Sequence, residues 1–211
     1  MSSSQRSERT PQIITSCGAL ITDDHFVYAS GDHGTGWIAK DLLNLDPRRP
    51  KELGAMLAEA VSEHELEVDI VCAPAIGGVI CSQHTALAMS VESVFAARAQ
   101  SANGEVFLLK RRHDHAVRGR RVHVVDDVVN TGYLTNLVIE SVRSAGGVVV
   151  GVATWINRGQ VRAPELDVNK FIWLDEIDLP SVPAGQCPDC AMNIPVHTEY
   201  AHGAQFVSSN A

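Results

Sequence analysis

The chain is expected to fold as an α/β protein, a parallel twisted sheet flanked by helices, and three observations predict this. Short apolar runs alternate with helical repeats over residues 68–156, the pattern of strand–helix–strand units whose sheet is covered on both faces. The apolar runs are continuous rather than alternating, as strands buried on both sides require. A length of 211 residues, 45% hydrophobic and 20% charged, suits one soluble domain with a substantial core.

The elements follow in order. "MSSSQRSERT" has no apolar segment behind its charges, so it is not a secretory leader, and residues 1–12 read as a disordered tail. Residues 13–211 are expected to form a single domain, with a core at about 50–178 and a small hood from 13–49 and 179–211. "ITDDHFVYASGDHGTGWIAKDLL" mixes short apolar groups with Asp, Ser and Gly, as a hairpin-like element does. In "KELGAMLAEAVSEHEL" the apolar positions 53, 56, 57, 60 and 61 share a helix face. "VDIVCAPAIGG" is a buried strand that breaks into a turn, and "VICSQHTALAMS" is the helix after it. "SVFAA", "EVFLLK" and "RVHVVDD" are strands. Leu134, Leu137, Val138 and Val142 mark a helix that Gly146 and Gly147 stop. "VVVGVATWI" and "KFIWLDEI" complete the sheet, and the segment from Leu179 is Pro-rich and irregular.

The net charge of −8 excludes a general nucleic-acid binder, which carries a basic surface. No apolar stretch approaches the roughly 20 residues of a membrane span. Five cysteines in a chain this size are no disulfide framework, and a reducing cytoplasm is the expected setting. Lys110, Arg111, Arg112, Arg118, Arg120 and Arg121 crowd into one segment. They fit either an anionic small molecule or a solvated hairpin that resists edge pairing.

"VHVVDDVVNTGYLT", Val122 to Thr135, carries the chemistry. Ligands of open parallel sheets bind beyond the carboxyl ends of the strands. There, Asn130, Thr131 and Gly132 begin a helix whose free N–H groups favour a phosphate. Thr131 and Thr135 add hydroxyls, and Asp126 and Asp127 can accept from neighbouring sugar hydroxyls. Together these describe a ribose 5-phosphate site. The simpler alternative is helix capping by Asn130 or Thr131 beside two solvated acids.

The same segment resembles the ribose-phosphate signature of type I phosphoribosyltransferases: four mostly apolar residues, two acids, two apolar residues and a Thr/Gly turn. "VDIVCAPAIGGVI" is similar to the diphosphate loop of the orotate phosphoribosyltransferases of bacteria, "WINRG" to their base-side strand, and "HFVYASGDHG" to their N-terminal segment. A "CPDC" followed by "IPV" is also shared, so the likeness runs from about His25 to Val196. The resemblance implies the type I phosphoribosyltransferase fold and transfer of a nucleobase, expected to be orotate, onto 5-phosphoribosyl 1-diphosphate with Mg2+. It implies that Asp126, Asp127, Val128, Val129, Asn130, Thr131, Gly132, Tyr133, Leu134 and Thr135 hold ribose and 5-phosphate. Ala75, Ile76, Gly77 and Gly78 would cradle the diphosphate, with Arg98, Lys110, Arg111, Arg112 and His113 reaching it from a flexible basic hairpin. Lys110 and Arg111 join the acid pair as catalytic candidates. In this family the hairpin commonly serves the neighbouring subunit, so a homodimer is implied.

Ala29 stands where the orotate enzymes carry a basic residue, so Arg158, with Lys40, is expected to meet the base. Another nucleobase, or a ribose-phosphate-sensing regulator without turnover, are the alternatives. Mg2+ would be held mainly by substrate and water. Cys187 and Cys190 form one C-x-x-C with His197 and His202 downstream. A single pair is read as reduced thiols or a disulfide rather than a zinc site. His25, His33, His64, His84 and His123 show no ligand spacing and are read as structural.

Overall fold

The computed structural model describes residues 1–102 and 104–209; residues 210 and 211 of the expected hood lie outside the described residues. The first element corrects an expectation. Residues 1–12 are no disordered tail, because α1 (Ser3–Ser16) is a helix with Arg6, Thr10, Ile13 and Ile14 buried. Ser2 and Gln5 form a reciprocal capping box that satisfies two otherwise free donors. Arg6 pairs with Glu63, and Arg9 Nε reaches Glu52 Oε1 at 2.6 Å. Charge that suggested a solvated tail therefore fastens the helix to its neighbour.

The hood follows. Strands β1 (Leu20–Ile21), β2 (Phe26–Val27), β3 (His33–Gly34) and β4 (Trp37–Ile38) are two residues each. β2 and β3 form the expected hairpin, turned at Gly31 with φ +85°, where a side chain would be strained. After α2 (Asp41–Asn44), helix α3 (Arg48–Ser62) buries Leu53, Met56, Leu57, Ala60 and Val61, the face its periodicity predicts. Each large apolar side chain so buried contributes about 1.5–3 kcal/mol. Gly54 lets α3 approach its neighbour closely, since a Cβ there would lie 2.6 Å from the His84 Cβ.

The core alternates as expected up to its edge. β5 (Ile70–Pro74) is fully buried and leads into α4 (Gly77–Met89). β6 (Glu92–Ser101) and β7 (Gly104–Leu108) pair antiparallel. α5 (His113–Val117), β8 (Arg121–Val129), α6 (Tyr133–Ser144), β9 (Val148–Asn157) and β10 (Phe171–Glu176) complete it. The six-stranded sheet has the order β10-β9-β8-β5-β6-β7 and is parallel except at the β6–β7 edge. β11 (Ser181–Val182) returns to pair with β3, and α7 (Pro188–Ala191) and α8 (Gly203–Ser209) close the chain. Among the described residues no helix is long and apolar enough to cross a membrane.

Two further expectations change. The basic segment is not itself a hairpin: the hairpin is β6–β7, and the segment after it turns through left-handed Arg111 and Arg112 into α5. Arg120 pairs with Glu92, and Arg121 with Glu67 and Asp69. These two arginines brace the amino end of β8, far from its carboxyl end. Second, Cys187 and Cys190 meet His25 and His33, not His197 and His202. Sequence distance hid this set, because the two histidines flank the β2–β3 turn more than 150 positions upstream.

His123, in the middle of β8, is fully buried with neither ring nitrogen hydrogen-bonded. Burial, with a smaller contribution from His64, lowers its pKa from 6.5 to about 4. The unfolded chain takes up this proton near pH 6.5, whereas the folded chain stays neutral to about pH 4. Stability is therefore full above pH 6.5 and falls as pH drops through that window. At about 1.4 kcal/mol per pH unit, the total is about 3 kcal/mol. His123→Leu should remove this part of the acid sensitivity. Urea unfolding of both proteins at pH 7 and pH 4.5 checks it, and an unchanged difference between the two pH values would refute the assignment.

Candidate active site

β8 carries Asp126 and Asp127 to the carboxyl end of the sheet, where both are buried at 7% and 1% exposure. They are not two solvated acids. Both face the start of α4 on the adjacent strand. A Cβ on Gly77 would lie 2.9 Å from Asp127 Oδ2, and one on Gly78 would lie 3.0 Å from Asp126 Oδ1. The same Gly77 Cβ would overlap Lys40 Nζ, so the loop packs against the Lys40–Asp127 pair and Asp126 with little room for a side chain. The partial positive charge at the amino end of α4 favours the two carboxylates.

Local bonds hold the pair. The Asp127 amide donates to Asp126 Oδ1 at 2.9 Å, and the Val128 amide to Asp127 Oδ1 at 2.8 Å. Lys40 Nζ donates to Asp127 Oδ1 at 2.9 Å. Burial, then the Asp127 charge, push the Asp126 carboxyl well above its usual range. Burial opposes charge on Lys40, but Asp127, Asp126 and Asp41 together outweigh it and raise its pKa. Asp127 Oδ2 is buried without a hydrogen-bond partner. An acceptor left in that state is costly, and a sugar hydroxyl would satisfy it.

The turn after β8 leads into α6. Gly132, at φ +76°, is the N-cap of α6 and has no side chain to cap the helix. The Thr131 hydroxyl accepts from the Tyr133 amide at 3.3 Å, while Thr135 is buried and Tyr133 exposed. Thr131 thus caps the first amide, as the simpler reading expects, and the amide groups at this helix start still suit an anion. The loops after β8 and β9 touch at Gly159, where a Cβ would overlap the Asn130 carbonyl. That contact sets Arg158 beside the turn, with its amide donating to the Val129 carbonyl at 2.8 Å.

Between core and hood lies a cavity of about 450 Å³ lined by Tyr28, Trp37, Lys40, Leu134, Arg158 and Tyr200 among others. A second, of about 690 Å³, shares Tyr28, Ala29, Asn130 and Arg158 with it. The Arg158 guanidinium lies 4.4 Å over the Tyr28 ring, held by a cation–π contact, and its Nε is buried without a partner. Arg158 is placed to receive a planar anion. Lys40 shares this wall, but its ammonium is committed to Asp127. Leu134 and Val128 line the cavity rather than the phosphate turn. Tyr28 lies in the N-terminal segment already singled out and His202 was named only beside the cysteine pair, whereas Trp37 and Glu199–Ala201 were missed by sequence reasoning. The signal for Trp37 was the aromatic spacing of the N-terminal segment; nothing placed Glu199–Ala201 at the cavity.

Ala75 and Ile76 lead into Gly77 through a cis peptide bond, with the Ile76 side chain exposed. Lys110, Arg111 and Arg112 are exposed. His113 Nδ1 lies 3.0 Å from the Phe95 carbonyl, and Arg98 Nε lies 3.0 Å from Glu105 Oε1. These two side chains have partners within the chain, whereas the first three stand at the outer edge of the sheet.

A phosphoribosyl transferase domain matches residues 43–184. An orotate phosphoribosyltransferase of Sulfurimonas denitrificans is 33% identical over 190 residues, covering 85% of this chain and 91% of the relative. One of Caulobacter vibrioides is 33% identical, covering 85% of this chain and 88% of that one. The crystal structure of orotate phosphoribosyltransferase from Aeropyrum pernix superposes with a TM-score of 0.66 at 22% identity, covering 78% of this chain and 92% of that one.

Proposed function

The chain belongs to the phosphoribosyltransferase family, and we propose that it joins orotate to 5-phosphoribosyl 1-diphosphate, releasing diphosphate, in pyrimidine nucleotide synthesis. The observation that carries this is the meeting of both β8 carboxylates with the glycine start of α4. That meeting sets acids for a ribose against a loop suited to its leaving group. A nitrogen of the base forms a bond to ribose C1 as the bond from C1 to the diphosphate oxygen breaks, and the proton that nitrogen carried passes to solvent. The electron pair leaves with the diphosphate.

The transition state gains positive character on the ribose, as in glycoside chemistry. Asp126 and Asp127 accept from the ribose hydroxyls and oppose that charge. The 5-phosphate sits at the start of α6, with Thr131 and Thr135 beside it. The Ala75 amide donates to the Ala96 carbonyl at 2.8 Å, so the amides from Ile76 to Gly78 are left to meet the diphosphate, and Arg158 pairs with the carboxylate of orotate. Lys40 holds Asp127 aligned through its 2.9 Å contact. The oxygen-rich surroundings, including the unpartnered Asp127 Oδ2, fit Mg2+ held through substrate and water. The ion would offset charge on the departing diphosphate.

Lys110, Arg111 and Arg112 act on the leaving group, and their place on the edge strand's return suits delivery to a second subunit of a homodimer. The setting is a reducing cytoplasm, in which the five free thiols stay reduced. Replacing the three cations together by Ala should lower kcat far more than the affinity for ribose 5-phosphate, which lacks the diphosphate. Unchanged turnover would return the segment to a solvated surface. Orotate-dependent release of diphosphate tests the function itself. Release that ignores orotate, or none at all, would refute it.

A further inference from the structure

Outside the transfer site, the densest cluster of metal-ligating side chains lies within the hood. His25 precedes β2, His33 opens β3, and Cys187 and Cys190 flank the first turn of α7. One ligand atom from each lies within 4.8 Å of the others, and all but Cys190 are buried. His25 Nε2 is 2.8 Å from His33 Nδ1, 3.4 Å from Cys187 Sγ and 3.7 Å from Cys190 Sγ. Cys190 Sγ is 3.3 Å from His33 Nδ1. Zinc–nitrogen bonds of about 2.0–2.1 Å and zinc–sulfur bonds of about 2.3 Å make tetrahedral ligand–ligand edges of about 3.3–3.8 Å. The cluster has nearly that size already.

Its hydrogen bonding points the same way. His25 Nδ1 donates to the Ile194 carbonyl at 2.9 Å, which leaves the Nε2 lone pair facing the centre. A carbonyl partner of this kind is what orients zinc-bound imidazoles. Two thiolates would neutralise a divalent ion, so the buried group would carry no net charge. Two soft sulfurs and two imidazoles suit zinc and not Mg2+.

We propose that His25, His33, Cys187 and Cys190 form a closed, structural zinc site that clasps the C-terminal segment to the β2–β3 hairpin. The clasp would bear on the larger architecture. The His197 amide donates to the His25 carbonyl at 2.7 Å, and the His202 amide to the Val27 carbonyl at 2.9 Å. Residues Glu199 to His202 between them line the cavity that holds Arg158. The metal thus shapes one wall of the site without touching the reaction.

The test is metal analysis of untagged protein purified without chelator. One zinc per chain is expected in the wild type and in Cys17→Ser, which removes a thiol outside the cluster. The double variant Cys187→Ser/Cys190→Ser should hold essentially none. Should that variant fail to fold, cobalt titration of metal-stripped wild type decides. Saturation at one equivalent, with the strong visible bands of a tetrahedral centre and a thiolate charge-transfer band, supports the site. Metal-free wild type that binds cobalt weakly or through oxygen alone overturns it. So does Cys17→Ser losing as much zinc as the double variant.

Discussion

Asp126→Asn is expected to stabilise the free protein while weakening its hold on 5-phosphoribosyl 1-diphosphate. The two signs have one cause. Burial and the neighbouring Asp127 charge raise the Asp126 pKa well above its usual range. The folded chain therefore binds this proton more tightly than the unfolded one. The stability linked to that proton is full at low pH and is lost as pH rises through the raised value. An amide removes the penalty, so the melting temperature should rise at neutral pH and above. The same amide accepts from a ribose hydroxyl less strongly, at a cost of about 1–3 kcal/mol in affinity. Asp127→Asn should lose similar affinity but also stability, because it strands the Lys40 ammonium. Lys40 is 36% exposed, so that loss falls below the roughly 3–5 kcal/mol of a fully buried pair. Calorimetric titration and thermal unfolding separate the two variants. Unchanged affinity in both would remove the acids from the ribose.

Arg158→Ala carries the second large effect. With Ala29 in the cavity wall and Lys40 bound to Asp127, Arg158 is the cation left to meet an acidic base. Truncating one partner of a buried charge pair costs about 2–5 kcal/mol. We expect kcat/KM for orotate to fall by at least about 30-fold, the lower end of that range, with KM for 5-phosphoribosyl 1-diphosphate nearly unchanged. Equal losses for both substrates would instead show that the variant disturbs Tyr28 and the hood as a whole.

The central sheet was legible because its strands are buried on both faces and α3 and α6 carry clean periodicity. Asp126, Asp127 and the turn were legible for a different reason: each residue's chemistry is tied to an adjacent backbone feature. What escaped was whatever depends on contacts remote in sequence. α1 looked disordered because Arg6 and Arg9 gain their meaning only from Glu63 and Glu52. The basic run looked uniform, yet Arg120 and Arg121 brace β8 while Lys110 to Arg112 stand free of it. The Lys40–Asp127 pair was not foreseen because nothing local announced Asp127, 87 positions away. The histidine–cysteine cluster was invisible for the same reason, since two hairpin positions and one helical turn meet only in the folded hood.

The most direct test of the proposed transfer is steady-state turnover of the wild-type protein with 5-phosphoribosyl 1-diphosphate and Mg2+ against orotate, uracil, hypoxanthine and adenine. The account predicts product with orotate and a kcat/KM for the three neutral bases lower by about two orders of magnitude or more, since they leave Arg158 unpaired. Turnover of a neutral base with orotate inert would contradict it.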